Sequence, residues 1–470
     1  MIKNKLILCF LFFIPSFALL FLFGKYNSQN KTTLSPSFHK NKRMALRDSM
    51  SENSVCLIFS YPVKTYSRDI NYEYHQNPNL YYLTGVKAPH SMLMIFKDSV
   101  DLGGLKTNEI LFLKSKTSNE QLWNARSIDI KTTKQKLGFQ TIMLNKQFAN
   151  LTFNFEKFKK IYHSSLPNNI ENNMSDQGDL YNLINSFRSK TEDLQNKKNR
   201  SDLHFWLSAL REVKSKNEIA ILKKAINTTT KAHNALMKNV KPGMYEYEAE
   251  AIAEYIFKRN GCERPSFPSI IGSGKNACIL HYQKNNDKIN KQDMIVMDIG
   301  AQYKGYSADI TRTIPANGKF NKQQKKLYEV IYKAQTKAIQ LCKKGNKFWD
   351  PHNKAKNIIA KELKRLGIIE KKYEVNQFFM HGTSHYLGLD VHDLGTSNPL
   401  QPGIVITVEP GVYIPKGSNC DKKWWNIGIR IEDDILVTDD KPVVLSKQSP
   451  KKVEKIEEMM MKEGDFFDLK

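Results

Sequence analysis

Four carboxylates in the second half of this chain stand in or at the ends of apolar strands, where an ionised group is expensive to bury alone. Two come in "DIGAQYKGYSADITRT", residues 298 to 313: Asp298 follows the apolar run "MIVM", and Asp309 precedes "ITRTI", β-branched at alternate positions. "QYKGY" between them reads as a hairpin turn. Centred near Tyr303 and Lys304, that turn sets the two aspartates directly opposite each other, and facing like charges on a sheet repel. The other two, Glu409 and Glu432, repeat the form. "MIVMDIG" at 294 to 300 aligns without gaps on "VITVEPG" at 405 to 411, and Glu432 follows Glu409 as Asp309 follows Asp298. Any one such acid is commonly solvated. Four, in two half-domains, point to a shared cationic centre.

Histidines complete the set. "HGTSHYLGLDVHD" carries His381, His385 and His392 among glycines, and "CILHYQ" adds His281. The glutamate of an H-E-x-x-H zinc helix is absent, and Gly382 and Gly388 favour a loop or strand. In "NIGIRIEDDILV" the alternation places Arg430 on one face with Glu432, where a guanidinium can orient a carboxylate. Carboxylate-dominated ligation with one imidazole suits manganese, cobalt or ferrous iron better than a thiolate zinc centre. Two ions ~3.5–4 Å apart, with a bridging water, would make a hydroxide nucleophile at neutral pH and polarise a carbonyl. "GSGKN" at 272 to 276 fails as a phosphate loop, because Ser269 and Asn276 stand where that motif needs Gly and Ser or Thr.

At 470 residues the chain exceeds what one core usually spans. Residues 1–24 read as a signal peptide or a membrane anchor: Lys3 and Lys5 precede an apolar stretch from Leu6 to Phe23. Either places the body outside the cytoplasm. A polar tether follows at 25–42, then a mixed α/β domain at 43–210, a second domain at 211–450 and a charged C-terminal tail at 451–470. In the second domain Ile219, Leu222, Ala225 and Ile226 form a helical stripe, and further helices fit "EYEAEAIAEYIFKRNG" and the stretch from Asn321 to Lys344. The net charge of +25 comes from scattered lysines, with no basic run interleaved with aromatics, so nucleic-acid binding is not expected. The six cysteines form neither a C-x-x-C pair nor a disulfide framework.

These segments resemble the aminopeptidase P, prolidase and creatinase group of pita-bread metallopeptidases. "MDIGAQYKGYSADITRTIPANGKF" is similar to the first metal-binding hairpin of that family, "HGTSHYLGLDVHDLG" to its histidine segment, and "ITVEPGVY" and "IRIEDDILV" to its glutamate strands. In the first domain "YEYHQNPNLYYLTG" resembles the aminopeptidase P N-terminal domain. The resemblance implies a creatinase-like α/β N-terminal domain followed by an α+β pita-bread metallopeptidase domain. It implies two divalent ions, manganese first, with cobalt, ferrous iron or zinc as alternatives, on Asp298, Asp309, His385, Glu409 and Glu432. Asp309 and Glu432 would bridge them, and Glu409 would also shuttle a proton. His281 and His392 would hydrogen-bond the substrate and tetrahedral intermediate, His381 would line the site near the proline, and Arg430 would orient the acids. None of the five ligand positions departs from the pattern, unlike the metal-free creatinases. Ser384 before the ligand histidine favours aminopeptidase P over prolidase.

The implied reaction is removal of an N-terminal residue that precedes proline, by a metal-bridging hydroxide. The implied assembly is a homo-oligomer. A prolidase-type dipeptidase is the alternative enzyme. A pita-bread module that has lost catalysis and binds partners is the alternative of another class.

Overall fold

The structure, a computed structural model, describes residues 33–114, 130–151, 154–168, 170 and 178–464. The leader expected at 1–24, the start of the tether and the last six residues of the expected tail lie outside these residues. Among the described residues no helix is long and apolar enough to cross a membrane.

The tether does not extend to residue 42. Ser35 caps a helix at Pro36–Ser49, with proline in its first turn, and His39, Arg43 and Leu46 are buried on it. The polarity of "SFHKNKR" conceals this, because its buried charge is paired: Arg43 makes two hydrogen bonds to Glu109, at 2.8 and 3.0 Å, and stacks on Phe139. The helix lies beside a six-stranded mixed sheet. Its central strand, Ser54–Phe59, pairs antiparallel with Met92–Asp101 and parallel with Lys160–His163. Every residue of that strand is buried, which is why it reads as an unbroken apolar run. Alternate residues feed two cores. Val55, Leu57 and Phe59 pack on one face, while Cys56 and Ile58 join a cluster with Leu222, Ala225, Ile226, Tyr306 and Ile310. The stripe on the helix Lys216–Asn239 thus meets the N-terminal sheet, and the core runs continuously across residue 211.

In the second half, helices Lys216–Asn239, Glu246–Arg259 and Lys322–Ile339 pack on short antiparallel strands, and Asp350–Arg365 packs on Lys322–Ile339. The helix after Asn321 is shorter than expected, because Asn321 caps it from outside and tight turns end it: Leu341 N donates to Ala338 O and Cys342 N to Ile339 O.

The two aspartates do not face each other directly. Strand Met294–Ile299 pairs with Ile310–Pro315 so that Asp298 lies opposite Thr311. The turn falls on Lys304 and Gly305, with φ of 52° and 84° and Tyr303 paired to Tyr306, one residue later than a Tyr303–Lys304 centre. Positive φ at both central residues is what a two-residue hairpin demands. Asp309 is two positions from Thr311, so it shares a face with Asp298 on the diagonal.

The sequence echo has a structural counterpart. Glu409 follows strand Val405–Val408, and Glu432 precedes the antiparallel strand Asp433–Leu436, with Val408 opposite Asp433. Glu432 therefore sits in a break between strands, and its N–H donates to Thr311 O at 3.1 Å, joining the two pairs of acids.

The expected C-terminal tail is also partly corrected. Val453–Met460 is a helix with Val453, Ile456 and Met460 buried, a stripe hidden among lysines and glutamates.

Candidate metal centre

A cavity of about 320 Å³ is lined by all nine residues singled out from the sequence: His281, Asp298, Asp309, His381, His385, His392, Glu409, Arg430 and Glu432. Strand ends supply the acids, and an irregular segment at 381–393 supplies three of the histidines. Ligand atoms of Asp309, His385 and Glu432 lie within 4.8 Å of one another. His385 Nε2 is 3.3 Å from Asp309 Oδ2 and 3.5 Å from Glu409 Oε1. The His385 Nδ1 is 3.0 Å from Tyr386 O. A proton held there leaves the Nε2 lone pair facing the acids.

The acids are tied to the fold on one side and open on the other. Asp298 Oδ2 accepts from Arg430 Nη2 at 2.6 Å. Glu432 Oε2 accepts from Thr311 Oγ1 at 2.7 Å, and Thr311 Oγ1 accepts from Arg430 Nε at 3.1 Å. Asp298 Oδ1 and Asp309 Oδ1 are buried with no hydrogen-bond partner. Orphaned oxygens on like-charged groups, beside an imidazole nitrogen with a free lone pair, form a donor set that fits hard divalent cations.

The electrostatics point the same way. Burial first, then Asp298 and Glu409, pushes Asp309 well above the ordinary carboxylate range. Burial, then Asp309 and Glu409, does the same to Glu432. Glu409 is also raised, by burial, with His385 and Arg430 opposing. Without a cation these carboxylates relieve their repulsion by holding protons.

A relay of polar groups leads from Arg430 away from the acids. Arg430 Nη1 donates to Tyr413 OH at 2.9 Å, and that hydroxyl is 2.9 Å from His381 Nε2. His381 Nδ1 is 2.7 Å from Gly382 O. Burial, then Arg430, lowers His381 to about 4. Burial, then His385 and His281, lowers His392. Both imidazoles are therefore neutral near pH 7.

Several contributors escaped the sequence reading. Tyr413 and Thr311 read as ordinary β-formers. Nothing local in the sequence marks them, because Thr311 reaches Glu432 and Arg430, and Tyr413 reaches Arg430 and His381, only through the fold. Arg211 was also missed. It is buried, and it donates to Asn79 Oδ1 at 2.7 Å, to Asp390 Oδ2 at 2.8 Å and to Asp393, while Lys214 reaches Asp393 Oδ2 at 3.0 Å. The two aspartates flank His392, so this cluster fixes the segment that carries it. Burial acts to raise Asp393, but Arg211 and Lys214 outweigh it and hold the carboxyl low.

Comparison with known proteins gives two family matches: the model for metallopeptidase family M24 at residues 220–439, and that for the aminopeptidase P N-terminal domain at 39–162. The Xaa-Pro aminopeptidase of Escherichia coli strain K12 is 33% identical over 448 residues, covering 90% of this chain and 97% of that protein. Proline aminopeptidase P II from Yersinia pestis superposes with a TM-score of 0.81 at 32% identity, over 91% of this chain and 99% of that one. A zinc-substituted E. coli aminopeptidase P in complex with product gives 0.80 at 32% identity, over 91% and 98%.

Proposed function

This chain belongs to metallopeptidase family M24, with an aminopeptidase P N-terminal domain ahead of its pita-bread catalytic domain, and we propose roles for its cavity residues on that footing. The protein is a metal-dependent Xaa-Pro aminopeptidase: it hydrolyses the bond between an N-terminal residue and a following proline. The convergence of four carboxylates and His385 on one cavity, with two orphaned oxygens, carries the detailed reading.

Asp298, Asp309, His385, Glu409 and Glu432 hold a pair of divalent ions, for which the oxygen-rich donor set favours manganese. When bound, such ions supply a Lewis acid for the scissile carbonyl and a water made nucleophilic at neutral pH. Glu409 accepts the proton of the attacking water and returns one to the proline nitrogen, which as a tertiary amide has none of its own. His281 and His392 hydrogen-bond the substrate carbonyl as it becomes tetrahedral. His381 lines the site near the proline ring, held by Tyr413. Arg430 stays ionised against burial through Tyr413, Asp298 and Glu432, and it orients the acids.

The leader pattern supports an extracytoplasmic location. Tyr66, Ile70 and Tyr72, more than half exposed around the hairpin Thr65–Asn71, support self-association, which light scattering on the purified protein would test.

The deciding experiment offers manganese-loaded protein an Xaa-Pro dipeptide and an Xaa-Pro-Xaa tripeptide. Release of the free first residue from the tripeptide is expected. Activity on the dipeptide alone would make the protein a dipeptidase, and activity on neither would return it to the class of binding modules. Chelated enzyme should recover with manganese; recovery with zinc alone would contradict the choice of ion.

A further inference from the structure

His281 differs from the other cavity residues in how it is held. It is exposed, on a segment between strand Ile270–Ser273 and strand Met294–Ile299 that contains only a short 3-10 turn. The neighbouring Tyr282 is buried, and its hydroxyl donates to Glu246 Oε2 at 2.7 Å. Glu246 is fully buried at the first position of the helix Glu246–Arg259. Its Oε2 also accepts from Asp287 N at 3.0 Å. Its Oε1 accepts from Ser273 N and Ser273 Oγ, each at 2.7 Å, and from Asn276 Nδ2 at 3.1 Å. In return, Glu246 N donates to Asp287 O at 3.1 Å.

All five donors to this carboxylate are neutral, and all belong to the segment 273–287, with Ser273 and Asn276 before His281 and Tyr282 and Asp287 after it. A buried carboxylate is costly unless its lone pairs are filled, and here they are filled solely by the segment that carries His281. Burial, then the hydrogen bond to Glu246, pushes the Tyr282 phenol up to about 12, so this hydroxyl remains a donor. Asn285 adds a second tie, accepting from Ile271 N at 3.0 Å and donating to Ser269 O at 2.8 Å. Opposite, strand Ile427–Arg430 presents Gly428, where a Cβ would collide with Ala277 O. The segment is held between this strand and Glu246, and of residues 274–287 only Leu280 and His281 reach the cavity.

We infer that Glu246 is a positioning residue for catalysis, a carboxylate staple that closes the 273–287 segment and sets His281 against the substrate. This rests on the role proposed above for His281.

The test is a double-mutant cycle of Glu246→Gln and His281→Ala in the manganese-loaded full chain, with kcat and KM measured on an Xaa-Pro-Xaa tripeptide. Displacing a reacting group by about 1 Å can cost on the order of 10²-fold. Glu246→Gln should therefore lower kcat/KM by on the order of 10- to 100-fold. In the His281→Ala background it should add no more than ~2-fold, because both changes remove the same contribution. A double mutant whose loss is the product of the single losses would overturn the inference, since Glu246 would then be acting elsewhere. If Glu246→Gln does not yield folded protein, Tyr282→Phe removes one donor and leaves four; it should cost about tenfold with the same non-additivity. Amide hydrogen exchange across 274–287, faster in Glu246→Gln than in wild type, reads the staple without turnover. Wild-type protein inactive on the tripeptide would refute the peptidase reading, whereas unchanged exchange would refute the staple itself.

Discussion

Stripping the metal should give this protein an unusual dependence of stability on pH. Asp309, Glu432 and Glu409 all have folded-state pKa values raised above those of exposed carboxyls. In the chelated protein the native state therefore binds more protons than the unfolded chain, so stability falls as pH rises above the unfolded carboxyl range. Each proton retained costs about 1.4 kcal/mol per pH unit until it is released. One shared proton gives that slope, and three groups titrating together set a ceiling of about 4 kcal/mol per pH unit. Bound cations remove the reason for protonation, so the loaded protein should lack this slope. Urea denaturation of chelated and manganese-loaded protein between pH 5 and 8 isolates the effect, because groups outside the centre contribute alike to both. The stabilisation by metal should widen steadily with pH. A gap that stays constant or narrows over that range would refute the charge-repulsion account of the cavity.

Three substitutions probe the site and its supports one residue at a time. Glu409→Ala should abolish turnover while leaving the melting transition in place, since the hydrogen bonds and ion pairs of its carboxylate among the described residues are long ones, to His385, His381 and Thr407. Thr311→Val removes one hydroxyl that serves both Glu432 and Arg430; at about 1.5–3 kcal/mol for a hydrogen bond to a charged group, kcat/KM should fall roughly 10- to 100-fold with little change in fold. Arg211→Met leaves Asp393 buried with Lys214 as its remaining cation, and urea denaturation should show a loss of about 3–5 kcal/mol.

The chemistry of the site was legible because each of its acids interrupts an apolar run, and charge in such a setting requires a partner. Geometry was less legible. The turn between Asp298 and Asp309 was displaced by one residue because "QYKGY" offers two plausible centres, and only the backbone shows that Lys304 joins Gly305 in positive φ. Strand register follows the turn, so that single step separates an opposed pair from a diagonal one. Paired charge concealed structure at both ends of the chain: Arg43 with Glu109, and Lys319 with Glu457 beside the last helix, make buried or docked helices look like solvated segments. Tyr413, Thr311 and Glu246 were invisible for another reason. Their importance lies in which side chain they touch across long stretches of sequence, and local patterning does not record that.

The order in which the acids occur along the chain bears on how the protein is made. Asp298 and Asp309 leave the ribosome more than a hundred residues before Glu432, whose backbone then pairs with Thr311. Lys451, still later, reaches the buried Asp433 beside it. During synthesis, at about 5–20 residues per second, the first two carboxylates wait for seconds without the groups that complete their surroundings. The nascent chain thus passes through an interval in which only half of these acids exist, and the set that lines the cavity is complete only when its final strands have been added.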